Sequence, residues 1–238
     1  MRRLSLALLA AVNVALLALV TPTSVSADHN EDAFYNVSFP YDKNVFWSFQ
    51  PGFPDDPKRG AVTNGFDQWD DKVEGRGPNF IKQADQNDGS PYEACNGPNS
   101  VSWRNDLQQH NIPVGVIAVT AWCVDNTTYV MEGFAQVYDS DPKFGDGSDA
   151  DWHVGDGTVA SRAVDMFGVS THEVGHATGW GAFGAQDHFL QDAICDHSLA
   201  NRQTMCAQVS PGSYPHPKAF RTREAHDGSV YTDAYTLG

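Results

Sequence analysis

Thr171-His172-Glu173-Val174-Gly175-His176-Ala177-Thr178-Gly179-Trp180 is the most informative stretch of this 238-residue chain. His172 and His176 stand four residues apart, so on an α-helix both imidazoles leave one face toward a single point, and Glu173 reaches the neighbouring position. Two ring nitrogens and a carboxylate in that pattern suit one zinc ion and one activated water. Zinc lowers the pKa of such a water and polarises a carbonyl, while the carboxylate takes the water proton and returns it to a leaving amine. His172 and His176 are therefore candidate zinc ligands and Glu173 the candidate catalytic base. The spacing predicts a short helix, with Asp165 or Ser170 placed to begin it and Gly179 and Gly181 to end it.

Far upstream, Arg2 and Arg3 precede an apolar run from Leu4 to Val20 broken by Asn13, and Val25-Ser26-Ala27 follows Pro22. This is the layout of a secretory signal peptide over residues 1–27, cut after Ala27, and it predicts a secreted, extracellular protein. The alternative, a retained membrane anchor, calls for a longer uninterrupted run. Cleavage leaves 211 of the 238 residues, room for one well-filled domain. Residues 28–57 are polar and punctuated by proline and read as an N-terminal extension or early strand. Residues 58–238 are the expected catalytic domain.

The full chain has 15 basic and 30 acidic residues, a formal charge of −15. Losing Arg2 and Arg3 with the leader leaves 13 basic against 30 acidic, or −17. So negative a surface disfavours nucleic acid and anionic membranes as partners and suits solubility and divalent cations. A monomer acting on protein or peptide is the expectation. Cys95, Cys123, Cys195 and Cys206 are even in number in an exported chain, which predicts two disulfides. Three pairings are open, and proximity favours Cys95 with Cys123 and Cys195 with Cys206. A cysteine-rich zinc cluster lacks the close Cys-x-x-Cys pairs it would need.

Between these landmarks, Phe46-Trp47-Ser48-Phe49 reads as an early strand packed in the core. Val62, Phe66 and Trp69 recur at helical spacing and predict a helix over Gly60 to Trp69, ending before Gly75-Arg76-Gly77-Pro78. Phe80-Ile81 enters a short strand, and Gln86 to Ser100 reads as loop. Val114 to Val124 is the strongest strand candidate, followed by a turn at Asp125-Asn126-Thr127-Thr128 and a second strand over Tyr129 to Tyr138, a hairpin at the edge of the scaffold. Asp139, Asp141, Asp146, Asp149, Asp151 and Asp156 then crowd among Gly, Ser and Pro. That stretch is either a solvated acidic loop or a structural calcium (Ca2+) site, and it departs from the helical calcium-loop pattern. His153 within it reads as an ordinary hydrogen-bonded residue, with metal ligation the alternative.

His172-Glu173-Val174-Gly175-His176-Ala177-Thr178-Gly179 resembles the front of the metzincin motif, and Thr204-Met205-Cys206 resembles its downstream methionine turn. The resemblance is to secreted bacterial matrixin-like zinc metalloproteases. Trp152-His153-Val154-Gly155, Asp165-Met166-Phe167 leading into Ser170-Thr171-His172, and Ala225-His226-Asp227 extend it across Gly60 to Tyr235. The resemblance implies an α+β fold, a twisted mixed β-sheet with an active-site helix followed by a small irregular C-terminal lobe, with substrate lying in the cleft between. It further implies zinc (Zn2+) as cofactor, His172 and His176 as ligands, Glu173 as general base, Gly179 as the turn that redirects the backbone, and Met205 as an apolar floor beneath the ligands.

The chain departs from the family at the third ligand. The family pattern has His or Asp three residues after the turn glycine, where this chain has Ala182. Gly181-Ala182-Phe183-Gly184-Ala185-Gln186-Asp187-His188-Phe189 reads as a longer loop that delays the ligand, making His188 the leading candidate and Asp187 the next. Another residue such as His197, or no third protein ligand, stays open. A Cys195–Cys206 bridge would tie the segment after His188 to Met205. The chain has neither a Gly-x-Ser-x-Gly elbow nor an Asp-Thr/Ser-Gly setting, so serine and aspartic hydrolases are poor rivals. The expected activity is that of a secreted zinc-dependent endopeptidase, and the alternative is a secreted zinc-binding or structural domain without turnover.

Overall fold

In the computed structural model, which describes residues 39–40, 43–70, 77–86 and 91–179, the early aromatic run is strand β1 (Asn44–Phe49). Val45, Trp47 and Phe49 alternate along it and are buried, the period-2 pattern of a strand whose face lies on a core. Helix α1 (Lys58–Trp69) follows, then β2 (Asn79–Lys82), β3 (Asn99–Arg104), β4 (Ala118–Val124), β5 (Met131–Asp139), β6 (Asp151–His153), β7 (Ala163–Asp165) and helix α2 (Met166–Ala177). One 3-10 turn, Leu107–His110, lies between β3 and β4.

Among the described residues five strands form one sheet in the order β2-β1-β3-β5-β4. β1 runs parallel to β2 and β3, β3 runs parallel to β5, and β4 pairs antiparallel with β5. The architecture of the described residues is thus mixed α/β, a mostly parallel central sheet with two helices, and it is compatible with the expected α+β class. β6 and β7 make a separate parallel pair. The early strand expected within residues 28–57 is β1, hydrogen-bonded on both sides within this sheet.

Both helices pack on one sheet face. α1 buries Ala61, Val62, Gly65, Phe66 and Trp69, an apolar stripe at three- and four-residue steps. The Phe66 ring stacks on Trp47 at 3.9 Å between centroids and meets Phe80 at 5.2 Å and Phe134 at 5.8 Å, so one side chain joins α1 to three strands. Burying each such aromatic is worth roughly 1.5–3 kcal/mol. In α2 every residue from Gly168 to Ala177 is buried, including Ser170, Thr171, His172, Glu173 and His176. A helix buried all round belongs to the centre of a domain, and its polar side chains must find partners there.

The expected hairpin is present, with different ends. The strand expected from Val114 begins only at Ala118, because the Val116 N–H turns back to the Pro113 carbonyl at 3.2 Å and Gly115 takes φ +96°. A Cβ at Gly115 would also stand 2.8 Å from Gly145 Cα, so glycine is needed for both conformation and space. Asp125 Oδ1 accepts the N–H groups of Thr127 and Thr128 at 2.7 and 3.0 Å, the turn chemistry expected of aspartate. Tyr129, expected in the second strand, closes that turn at φ +56°, and β5 starts at Met131. Asn99 and Ser100, expected in loop, open β3, where serine alternates with Val101 and Trp103 and both Ser100 and Ser102 are buried.

Cys95 and Cys123 are joined in a disulfide, the pairing proximity favoured. Among the described residues no helix is long and apolar enough to cross a membrane. The expected leader over residues 1–27, His188, Asp187, His197, Met205 and the expected Cys195–Cys206 bridge lie outside the described residues.

Candidate metal centre

Asp165 caps the helix that carries the motif. Its Oδ2 accepts the Gly168 N–H at 3.1 Å, satisfying one of the donors a helix N-terminus leaves open. At the other end the Thr178 N–H reaches the Val174 carbonyl at 3.0 Å, the Gly179 N–H reaches His176 at 2.9 Å, and Gly179 adopts φ +112°. Left-handed backbone just past a helix is where glycine is favoured, and Gly179, expected to end this helix, stands there.

One helical turn apart, the rings of His172 and His176 have centroids 4.8 Å apart and Nε2 atoms 3.1 Å apart. Two neutral imidazole nitrogens that close need a shared proton or a cation between their lone pairs. Zinc–nitrogen bonds of roughly 2.0–2.1 Å at a tetrahedral angle set two ligand nitrogens about 3.3 Å apart, close to the separation found. Among the described residues no group of three or more His, Cys, Asp or Glu surrounds this point, so the described chain offers two ring nitrogens there.

The helix is held in place from outside. Trp69 of α1 donates its indole N–H to the Thr171 carbonyl at 2.7 Å. From β4, Thr120 donates its hydroxyl to the Glu173 carbonyl at 3.0 Å, and Trp122 donates its indole N–H to the His176 carbonyl at 2.6 Å. These donors fix the rotation of α2 about its axis and with it the direction of both imidazoles. Gly65 of α1 lets the helices approach, and Ser170 Oγ donates to the Val62 carbonyl at 3.0 Å.

Glu173 is fully buried, and Thr120 Oγ1 also donates to its Oε2 at 2.7 Å. Its Oε1 is buried with no hydrogen-bond partner. Leaving a carboxylate oxygen so costs roughly 1–3 kcal/mol or more, which a purely structural residue gains nothing by bearing. Burial pushes the Glu173 pKa up to about 8, with the Thr120 hydrogen bond pulling the other way. A cation held by the adjacent imidazoles favours the ionised form. The two-nitrogen donor pair and the open carboxylate oxygen both fit a zinc site. Behind Glu173 lies Tyr138, its phenol raised by burial and by the Glu173 charge and donating to Gln136 Oε1 at 3.4 Å.

The acidic stretch is organised around a cation of the chain's own. Lys143 Nζ lies 2.6 Å from Asp149 and 3.0 Å from Asp141, Arg162 donates to the Asp149 carbonyl at 2.6 Å, and Trp152 donates to the Asp139 carbonyl at 2.7 Å. His153 Nε2 sits 3.1 Å from the Gly155 carbonyl, a local contact. The sequence reading placed Trp69 only in the α1 stripe and Thr120 and Trp122 only in a strand, and missed their part in holding α2. Their only signal was a polar Thr120 inside an apolar strand, two residues from Trp122. Compared with known proteins, the chain matches no family model and no curated protein.

Proposed function

We propose that this chain is a secreted zinc-dependent endopeptidase of matrixin-like metzincin type. The observation that carries the proposal is the convergence of the His172 and His176 Nε2 atoms to 3.1 Å beside a buried Glu173 whose Oε1 is unengaged. His172 and His176 would hold the metal, with His188 as third ligand and Asp187 as the substitute for it. Bound zinc supplies Lewis-acid polarisation and a water of lowered pKa.

The chain's own residues do the rest. Glu173 receives the proton of the attacking water at Oε1 and delivers it to the amine that leaves, so no covalent enzyme intermediate is needed. Among the described residues β4 pairs with one strand only, β5, and it stands against the helix that carries the imidazoles. The outer edge of such a strand offers backbone donors and acceptors to an extended peptide, which suits a protein or peptide substrate. Export belongs to the same proposal: a leader pattern at the N-terminus and a Cys95–Cys123 bridge both suit an oxidising compartment.

Zinc per chain and cleavage of unfolded casein, measured on the mature protein beside its Glu173→Gln and His188→Ala forms, test this reading. One zinc with casein cleavage in the parent, cleavage lost but zinc kept in Glu173→Gln, and both reduced in His188→Ala are the expected results. A parent that binds zinc and cuts nothing in a broad peptide panel would make the chain a zinc-binding domain without turnover. Unchanged zinc in His188→Ala would move the third ligand elsewhere.

A further inference from the structure

Thr120 makes two contacts with a single residue of the metal helix. Its hydroxyl has one proton and lies 2.7 Å from Glu173 Oε2 and 3.0 Å from the Glu173 carbonyl oxygen. The shorter contact, to a carboxylate, is the stronger when the group is ionised. Thr120 is itself buried, and it is registered opposite Gln136 within the seven-residue β4–β5 pairing. A β-branched side chain on a paired strand has little χ1 freedom, so the hydroxyl is a fixed point. Glutamate has three side-chain torsions, and a base must hold its oxygen in place to be efficient. Trp122, two residues along the same face of β4, holds the His176 carbonyl, so one strand references both a ligand-bearing turn and the carboxyl group.

We propose that Thr120 is a positioning residue for Glu173: by engaging Oε2 it fixes the carboxyl group in one orientation and leaves Oε1 as the oxygen that meets the reacting water. This rests on the zinc-protease reading for its catalytic consequence. The orientation itself does not depend on turnover. Thr120 touches neither metal nor substrate and acts only through Glu173.

Thr120→Val keeps the shape and removes the donor, Thr120→Ser keeps the donor, and Trp122→Phe removes a backbone hydrogen bond of α2 while sparing the carboxyl group. In the full-length mature protein, Thr120→Val should bind one zinc, keep KM within about twofold and lose about 10–100-fold in kcat, and Thr120→Ser should restore most of that loss. Crystal structures of zinc-loaded parent and Thr120→Val should show the Glu173 carboxyl group in one orientation and then released from it. Parent kcat in Thr120→Val, or an unmoved carboxyl group, overturns the proposal. So does an equal kcat loss in Trp122→Phe with no rescue by serine, since that marks a general support of the helix. A parent without peptidase activity sinks the zinc-protease reading, while the two crystal structures still decide whether Thr120 orients Glu173. Should Thr120→Val fail to fold, Thr120→Ala carries the same comparison.

Discussion

Gly65 of α1 and Ser170 of α2 touch where the two helices cross. A Cβ added to Gly65 would stand 2.7 Å from Ser170 Cβ and 2.8 Å from its carbonyl carbon, contacts no packed interior tolerates. Gly65→Ala therefore forces α2 away from α1. Overpacking costs about 1–3 kcal/mol, against at most about 1 kcal/mol returned by alanine's helix propensity. Urea unfolding should show a net loss of stability, and an equal or higher midpoint would mean that the helices separate freely here.

Trp122 braces the C-terminal turn of α2 through the His176 carbonyl at 2.6 Å, and its ring meets the His176 ring edge to face at 6.0 Å between centroids. Removing the indole N–H in Trp122→Phe should cost about 1 kcal/mol of stability and weaken zinc binding about 10-fold. Chelator competition reads the second effect; undiminished affinity would show that His176 keeps its direction without the brace.

Asp106 gives the fold a defined acid sensitivity. Its carboxyl pKa is held down to about 2, first by the hydrogen bond from Arg104 and also by the Tyr92 hydroxyl at 2.6 Å. A folded pKa below the unfolded one adds stability at neutral pH that disappears as pH falls from about 4 through about 2. Because the Arg104 side chain is 45% exposed, solvent screening limits the contribution to about 1 kcal/mol. Asp106→Asn should be less stable than the parent by that amount at pH 7, and the gap should shrink by about half at pH 3. A gap constant with pH would assign the loss to packing.

The Cys95–Cys123 bridge spans 28 residues and anchors the segment before β3 to β4. Replacing both cysteines with alanine should cost about 2–4 kcal/mol, mainly by freeing the unfolded chain. Thermal unfolding with and without reductant checks this, and identical midpoints would leave the bridge without a stabilising role.

What was legible in the sequence is what short-range periodicity encodes. Four-residue spacing put His172 and His176 on one face of a helix, the Val62, Phe66 and Trp69 stripe marked α1, and Asp125 with its threonines marked the hairpin turn. Cys95 and Cys123 were matched by closeness alone. β3 was hidden because Ser100 and Ser102 are buried, so its pattern reads as a polar connector. The ends of β4 and β5 were missed because Gly115 and Tyr129 take positive φ under constraints from the surrounding backbone.

The chemistry proposed for the helix was therefore written into the chain locally, since a helix delivers i and i+4 to one side whatever surrounds it. Only the tertiary structure decided which groups hold that helix and its base. Thr120 and Glu173 are 53 residues apart, and Trp69 and Thr171 are 102 apart. Such pairs form only when β4 and α1 are packed against α2 by the shared aromatic core, and no local pattern records a partner chosen by long-range packing.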